Sequence, residues 1–177
     1  HSKFDNFSFN GTVKYRWSPA FMTYARIGTG YRSGGFNGRA TSPNDPFAYR
    51  PEKATSYEAG FKSDLLDRRL RINGTVFHTI YKDLQVAQFA GVFSGSTRNA
   101  SAKYTGFELE LTAKPVSAVG LDASLGYVKP RYKQFPYPDP ASPGTLKNYA
   151  DQAYFPYVPN WSVHLGGDYI VPLDFGR

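Results

Sequence analysis

The stretch Gly106-Phe107-Glu108-Leu109-Glu110-Leu111-Thr112-Ala113-Lys114 puts an apolar residue at every odd position and a charged or hydroxyl side chain at each even position from Glu108 on. Successive side chains of a β-strand point to opposite faces, so this period of two describes a strand with one apolar and one charged face. The pattern continues outward in both directions. Phe7, Phe9, Val13, Tyr15 and Trp17 oppose Ser8, Asn10, Thr12, Lys14 and Arg16, and Ala25, Ile27, Thr29 and Tyr31 oppose Arg26, Gly28, Gly30 and Arg32. Tyr57, Ala59, Phe61 and Leu65 oppose Glu58, Lys62 and Asp64, while Leu121, Ala123, Leu125 and Tyr127 oppose Asp122, Ser124 and Gly126. Trp161, Val163, Leu165, Tyr169 and Val171 oppose Ser162, His164 and Asp168. In these six segments every formal charge falls on the polar phase. A seventh segment, residues 69–89, is less regular. Leu70, Ile72, Val76 and Ile80 share a phase with His78, and Phe77 and Tyr81 fall opposite, which predicts a bulge that switches faces.

A soluble sandwich would cover these apolar faces with a second sheet. Two features favour lipid instead. Aromatics end the apolar phases (Phe7, Trp17, Tyr31, Tyr57, Tyr127, Trp161), as in an interfacial girdle. The segments also run to about 10 residues or more, the length a tilted strand needs to cross a bilayer. Composition agrees, because 14 Tyr and 14 Phe among 177 residues, with 17 Gly and 13 Pro between them, suit strands and turns over helices. A mean hydropathy of −0.47 excludes a spanning helix but not spanning strands, since only alternate barrel residues meet lipid. Cysteine is absent, which excludes disulfide staples and thiolate metal sites. The net charge of +7 is scattered, with no run denser than Arg68, Arg69, Arg71, so nucleic acid is not the expected partner. Lipopolysaccharide or an anionic ligand would meet the same charge.

Connections alternate in length. Short ones fall at Ser18-Pro19-Ala20, at Leu66-Asp67-Arg68 and over residues 115–120; long ones are expected over residues 33–54, 90–100 and 130–160. Transmembrane barrels have short periplasmic turns and longer outer loops, so the first segment runs toward the periplasm. Asn10-Gly11 is a strong hairpin signal, yet a turn there would place Lys14 and Arg16 beneath the apolar face, so the segment reads straight through. Asn73-Gly74 stays open between turn and strand. The expected fold is all-β, an antiparallel meander of about seven long strands. Seven is odd, and the chain starts at His1 without a signal peptide, so residues 1–177 read as one block of strands from a larger barrel.

Specific motifs then point to a family. Tyr24-Ala25-Arg26 through Gly30-Tyr31-Arg32-Ser33-Gly34-Gly35-Phe36-Asn37 resembles a strand and loop opening of TonB-dependent receptors. Arg50-Pro51-Glu52-Lys53-Ala54-Thr55-Ser56-Tyr57-Glu58-Ala59-Gly60-Phe61-Lys62 resembles the family's Pro-Glu…Tyr-Glu-x-Gly-x-Lys strand. Arg69-Leu70-Arg71-Ile72-Asn73, with Phe77, Tyr81, Lys82, Asp83 and Gln85, resembles the strand that follows. Asn99-Ala100 and Gly106-Phe107-Glu108-Leu109-Glu110-Leu111 match its Asn-Ala…Gly-x-Glu-x-Glu pattern. The likeness covers most of residues 4–132 and thins toward Trp161. It implies a barrel of 22 strands with a plug in its lumen, driven by TonB and importing siderophore-bound iron, cobalamin, or sugar- and peptide-like nutrients. The family's TonB box and plug precede the barrel, so this chain is expected to supply a middle-to-late block of wall strands. Two rivals carry different functions: a non-TonB porin or channel, distinguished by the lack of a plug upstream, and a soluble ligand-binding β-barrel, distinguished by needing no detergent.

Candidate sites follow from the two faces and the loops. Arg26, Arg32, Glu58, Lys62, Glu108, Glu110 and Asp122 are expected to line the lumen, where the plain alternative is a cross-strand ladder that solvates it. Arg39, Tyr49 and Arg50 in the first long loop are ligand-binding candidates, because cations beside aromatics suit an anionic, aromatic chelate. So are Tyr137, Lys147, Tyr149 and Tyr154, with Phe155 and Tyr157, in the third. Loops packing on one another or on lipopolysaccharide sugars are the plain alternative. Ser162, His164 and Asp168 share a phase, but Asp168 stands about 13 Å from His164 along a strand, so they form no triad and no enzyme is expected. The three histidines, His1, His78 and His164, have no metal-ligand spacing. No cofactor is expected.

Overall fold

The computed structural model describes residues 3–38, 46–89, 95–142 and 144–171. Eleven strands follow one another: β1 (Asn10–Ser18), β2 (Phe21–Arg32), β3 (Gly35–Phe36), β4 (Ala48–Tyr49), β5 (Glu52–Leu65), β6 (Leu70–Phe89), β7 (Gly95–Ala113), β8 (Val119–Gln134), β9 (Pro136–Pro138), β10 (Leu146–Asn148) and β11 (Trp161–Tyr169). Seven of them build one antiparallel sheet in the order β1-β2-β5-β6-β7-β8-β11, each pairing with its neighbour along the wall. The pairs β3–β4 and β9–β10 are short ladders inside the first and last long loops. No helix occurs among the described residues.

Register fixes the faces. One row crosses all seven wall strands through Val13, Ala25, Ala59, Val76, Phe107, Tyr127 and Trp161. The apolar phases of the segments thus fall on one side and the charged phases on the other; a slip of one residue would invert a whole strand. Asn10-Gly11 and Asn73-Gly74 both lie inside strands. At Gly74 the missing side chain has a local cause, because a Cβ there would run into the Phe61 ring.

The sheet has no second layer. The chain exposes 12973 Å², against about 8,600 Å² for a compact monomer of its mass. Among the described residues the buried apolar ones are Ala100 and Ala102. Val13 and Leu165, in the middle of the apolar phase, are 76% and 78% exposed. So large a bare apolar face is an interaction surface rather than the skin of a water-soluble domain.

Several boundaries differ from the sequence expectation; β5 already starts at Glu52, inside the loop expected over residues 33–54, and β11 ends at Tyr169 and not at Val171. β1 begins at Asn10 and not at Phe7; the Thr29 N–H still donates to Phe9 O at 3.0 Å, but the Phe9 N–H donates to Thr29 Oγ1 at 3.0 Å, so a side chain replaces half of the next rung. The bulge in the seventh segment lies late, between Tyr81 and Leu84, where Asp83 takes φ 55°. The register before it is unbroken, and His78 keeps the apolar phase, its Nδ1 2.7 Å from Thr105 Oγ1. The connection expected over residues 90–100 is shorter, since β6 runs to Phe89 and β7 starts at Gly95. The last long loop starts only after Gln134, because β8 continues through Pro130. Proline is tolerated there because β8 is an edge beyond the Tyr127–Trp161 pair, so its missing N–H breaks no rung toward β11.

Candidate functional site

The polar face is held together by cross-strand hydrogen bonds. The Tyr24 hydroxyl donates to Glu58 Oε1 at 2.6 Å and lies 3.0 Å from Thr75 Oγ1. Asn73 Nδ2 donates to Glu110 Oε2 at 3.2 Å, and Arg26 Nε to Asn10 Oδ1 at 3.2 Å. Asp122 meets His164 Nε2 at 2.7 Å, which couples β8 to β11. Glu58, Lys62, Glu108 and Glu110 line one groove with Tyr24 and Asn73. Arg32 is paired in register with Glu52 higher on the same face. The seven candidate lumen charges therefore share one side of the sheet. Glu58, Arg26, Glu110 and Asp122 bond to neighbouring strands, as in a polar ladder that aligns strands and keeps a surface wet.

Toward the long loops the polar face turns aromatic, a feature the sequence reading missed. Tyr81 and Tyr104 meet edge to face at 5.3 Å; Phe155, from the last loop, contacts Tyr104 at 5.2 Å and stacks on Tyr132 at 4.0 Å and 10°. The signal available was that Tyr81, Tyr104 and Tyr132 take the polar phase of three adjacent strands at nearly one height. The stack pins the descending part of the last loop to the wall.

The first loop is tied down by amides and one ion pair. Asn37 accepts from the Thr97 N–H and donates to Thr97 O and Pro46 O. Arg50 directs Nε and a terminal nitrogen to Asp83 Oδ1 at 2.9 and 2.6 Å, and its N–H donates to Asn99 Oδ1. Asn99 Nδ2 returns a bond to Arg50 O, and Gln85 Nε2 reaches Ser33 O and Arg50 O. Tyr49 sits so close over Gly35 that any Cβ at Gly35 would overlap its ring. Arg50 and Tyr49 thus have structural partners, while Arg39 lies outside the described residues.

The last loop presents a different set. Tyr137 and Tyr149 meet at right angles, 6.2 Å between centroids, across the β9–β10 ladder. Lys147 Nζ stands 5.7 Å from the Tyr149 ring, and the Tyr149 hydroxyl donates to Asp139 Oδ1 at 3.3 Å. Desolvation, with the Asp139 carboxylate alongside, holds the Tyr149 phenol above its ordinary pKa of 10.0. Tyr154 and Tyr157 are 80% and 102% exposed. Among the described residues no three His, Asp or Glu side chains converge as a metal-ion site would need. What the loops offer is aromatic faces, hydroxyls and cations, the groups that recognise an anionic or aromatic solute without a covalent step.

The chain matches the protein family described as TonB dependent receptor-like, beta-barrel, over residues 1–176. Among solved structures it resembles the ferric yersiniabactin uptake receptor FyuA from Yersinia pestis, at 20% identity and a TM-score of 0.66, covering 94% of this chain and 23% of that one. The siderophore receptor PiuA from Acinetobacter baumannii gives 19% and 0.66, covering 92% and 23%. The copper transporter OprC gives 18% and 0.69, covering 93% and 24%. The chain spans about a quarter of the length of these proteins.

Proposed function

The chain belongs to the TonB-dependent receptor-like β-barrel family of the outer membrane, and from that membership we propose that it forms wall strands of a transporter importing ferric siderophores or similarly scarce nutrients. The supporting observation is the one-layer sheet, with a continuous apolar face exposed on one side and a hydrogen-bonded polar face on the other. A membrane barrel needs that division, lipid outside and a polar lumen inside. In this reading the seven wall strands contribute to a closed barrel of 22. Arg26, Arg32, Glu58, Lys62, Glu108, Glu110 and Asp122 then face the plug, TonB engages the plug from the periplasm, and lipopolysaccharide surrounds the outer rim.

The ligand candidates separate by their surroundings. Tyr137, Lys147, Tyr149 and Tyr154 have accessible rings or charge in the last loop and are proposed as contacts for an anionic chelate. Tyr49 and Arg50 are proposed to act one step back, by fixing the first loop from which Arg39 extends. Membership of a receptor family leaves no reason to look for catalysis at Ser162 or His164, and it displaces both the porin and the soluble-barrel alternatives.

The test is uptake. The full-length receptor is expressed in a strain stripped of its own iron receptors, and radioiron accumulation is followed from a panel of ferric catecholate, hydroxamate and phenolate chelates. Uptake of at least one chelate that disappears on deletion of tonB is the expected result. Passive, TonB-independent leakage of all of them would overturn the reading.

A further inference from the structure

The ring cluster at the loop end of the polar face has one member that does not belong to the wall. Tyr81, Tyr104 and Tyr132 stand on β6, β7 and β8, while Phe155 comes from the last loop. Phe155 lies flat on Tyr132, with 4.0 Å between centroids and 10° between planes. Every other ring pair among the described residues is tilted by 33° or more. Side-chain rings left to their own preference meet edge to face or offset, about 4.5–7 Å apart. A close, flat stack is how a planar body sits in a slot. Tyr132 supplies its floor and Tyr104, edge to face with Phe155 at 5.2 Å, one wall.

Little else ties Phe155 there. Among the described residues, 154–159 make no hydrogen bond; the chain is fixed before them at Ala153, whose N–H donates to Tyr149 O, and after them at Asn160, whose O accepts from the Val128 N–H. Pro156 and Pro159 have no N–H to give. Tyr157 holds a left-handed φ of 60° while its side chain stands fully exposed. That backbone is disfavoured for a residue with a Cβ, and it relaxes once the ring two residues away lets go. The slot also offers more than Phe155 can use. Among the described residues the Tyr81, Tyr104 and Tyr132 hydroxyls make no hydrogen bond, and phenylalanine has no polar atom to answer them. Tyr81 lines, in addition, a groove of about 320 Å³ with Gly28, Gly30, Ala54 and Arg26.

We infer that Phe155 holds the place of a ligand ring. An iron chelate whose binding groups are catecholates or phenolates lays one aryl ring on Tyr132, against Tyr104, and displaces Phe155 from the slot. Ring for ring, the exchange is close to neutral in apolar area. The aryl oxygens add hydrogen bonds from the tyrosine hydroxyls, and the rest of the chelate extends over the small residues of the groove toward Arg26. A ring-free hydroxamate or carboxylate chelate has nothing to put in the slot. The site therefore selects aryl chelates, and release of residues 154–159 marks its occupancy. The inference rests on the transport reading above and narrows its substrate class.

The test uses the full-length receptor in detergent, with Phe155→4-fluorophenylalanine as the reporter. Gallium(III) replaces iron(III), because it is diamagnetic and leaves the fluorine signal sharp. A synthetic gallium tris-catecholate is expected to move the resonance to that of a solvent-exposed ring. Gallium tris-hydroxamate, and gallium citrate as an anionic but ring-free control, are expected to leave it in place. By calorimetry, Phe155→Leu, which clears the slot, is expected to bind the tris-catecholate about tenfold more tightly, and Tyr104→Leu with Tyr132→Leu about tenfold more weakly, two ring contacts being lost. Tyr132→Phe keeps the ring, stands in should the double variant fail to fold, and is expected to bind about threefold more weakly for its missing hydroxyl. The exchange is overturned by wild type that does not bind the tris-catecholate, by binding that leaves the resonance unmoved, by equal displacement with hydroxamate or citrate, or by Phe155→Leu binding no tighter. Uptake separates the two readings. TonB-dependent uptake of a ferric hydroxamate or citrate alone keeps the transport reading and overturns this site, whereas ring displacement by the tris-catecholate without TonB-dependent uptake keeps the site and overturns the transport reading.

Discussion

Asn37 and Thr97, 60 residues apart, are joined by two reciprocal hydrogen bonds: Asn37 Nδ2 donates to Thr97 O at 2.9 Å, and the Thr97 N–H donates to Asn37 Oδ1 at 2.8 Å. A side-chain amide here makes the same donor–acceptor exchange that a neighbouring strand would make with the edge of β7. Asn37→Ala leaves both Thr97 groups without these partners in a part-buried place, at about 1–3 kcal/mol. We expect hydrogen exchange at residues 46–50 and 95–99 to accelerate in this variant, with β5 and the lower half of β7 unchanged. Unaltered exchange at Thr97 would refute the role.

The two faces should respond oppositely to one charge. Leu109 lies mid-strand on the apolar phase and Ser124 on the polar phase. We expect Leu109→Arg to cost about 2–4 kcal/mol when the receptor is refolded into vesicles and unfolded with urea, because arginine then faces the middle of the bilayer. Ser124→Arg should change stability far less, and equal losses would contradict the assignment of faces.

Gly106 has no room for a side chain: a Cβ would overlap the Tyr127 carbonyl oxygen and come within 2.6 Å of Phe77 Cζ. Gly106→Ala is expected to lower stability by about 1–3 kcal/mol through this overpacking. Gly106→Ala combined with Phe77→Leu should recover part of the loss if the ring is the obstacle. No recovery would place the conflict at the backbone alone.

Tyr149 gives a pH signature. Its phenol is held above the ordinary 10.0 by desolvation and the adjacent Asp139 carboxylate. A raised tyrosine pKa means that the neutral form favours the folded loop. The contribution is therefore complete below about pH 10 and lost as pH rises from there through the folded pKa. We expect the ultraviolet difference titration between wild type and Tyr149→Phe to isolate a phenolate that appears later than in a model peptide. Asp139→Asn should bring it back toward 10.0, and an unshifted Tyr149 would dismiss the Asp139 contact.

The sequence makes the lipid-crossing part of each strand readable, because only there does one face have to be apolar. Ala25, Ile27, Phe61, Leu109 and Leu125 carry that signal, and all lie on the face assigned to them. Above the lipid β7 continues with alternations such as Ser96, Thr97, Arg98, Asn99 and Ala100, where neither phase is apolar, so its extension went unseen, whereas the full length of β6 was read. The bulge was expected, but its position was hidden, since the one local cue was an aspartate that tolerates a left-handed backbone at position 83. The ring cluster was hidden for another reason. Clustering across a sheet depends on register, and Tyr81, Tyr104 and Tyr132 come together through pairing that no run of sequence displays.

Along the upper half of β7, Ser96, Arg98, Ala100 and Ala102 are buried in alternation, under the loops and beyond the aromatic girdle. Surface loops ordinarily tolerate change, because few contacts depend on them. Here that freedom is divided. Residues 96, 98, 100 and 102 act as a keel for the surrounding loops, and a change at one of them disturbs several loops at once. Tyr154 and Tyr157 stand clear and can vary without disturbing the keel. Sequence change should therefore accumulate at the exposed tips and spare the ribbon that carries them.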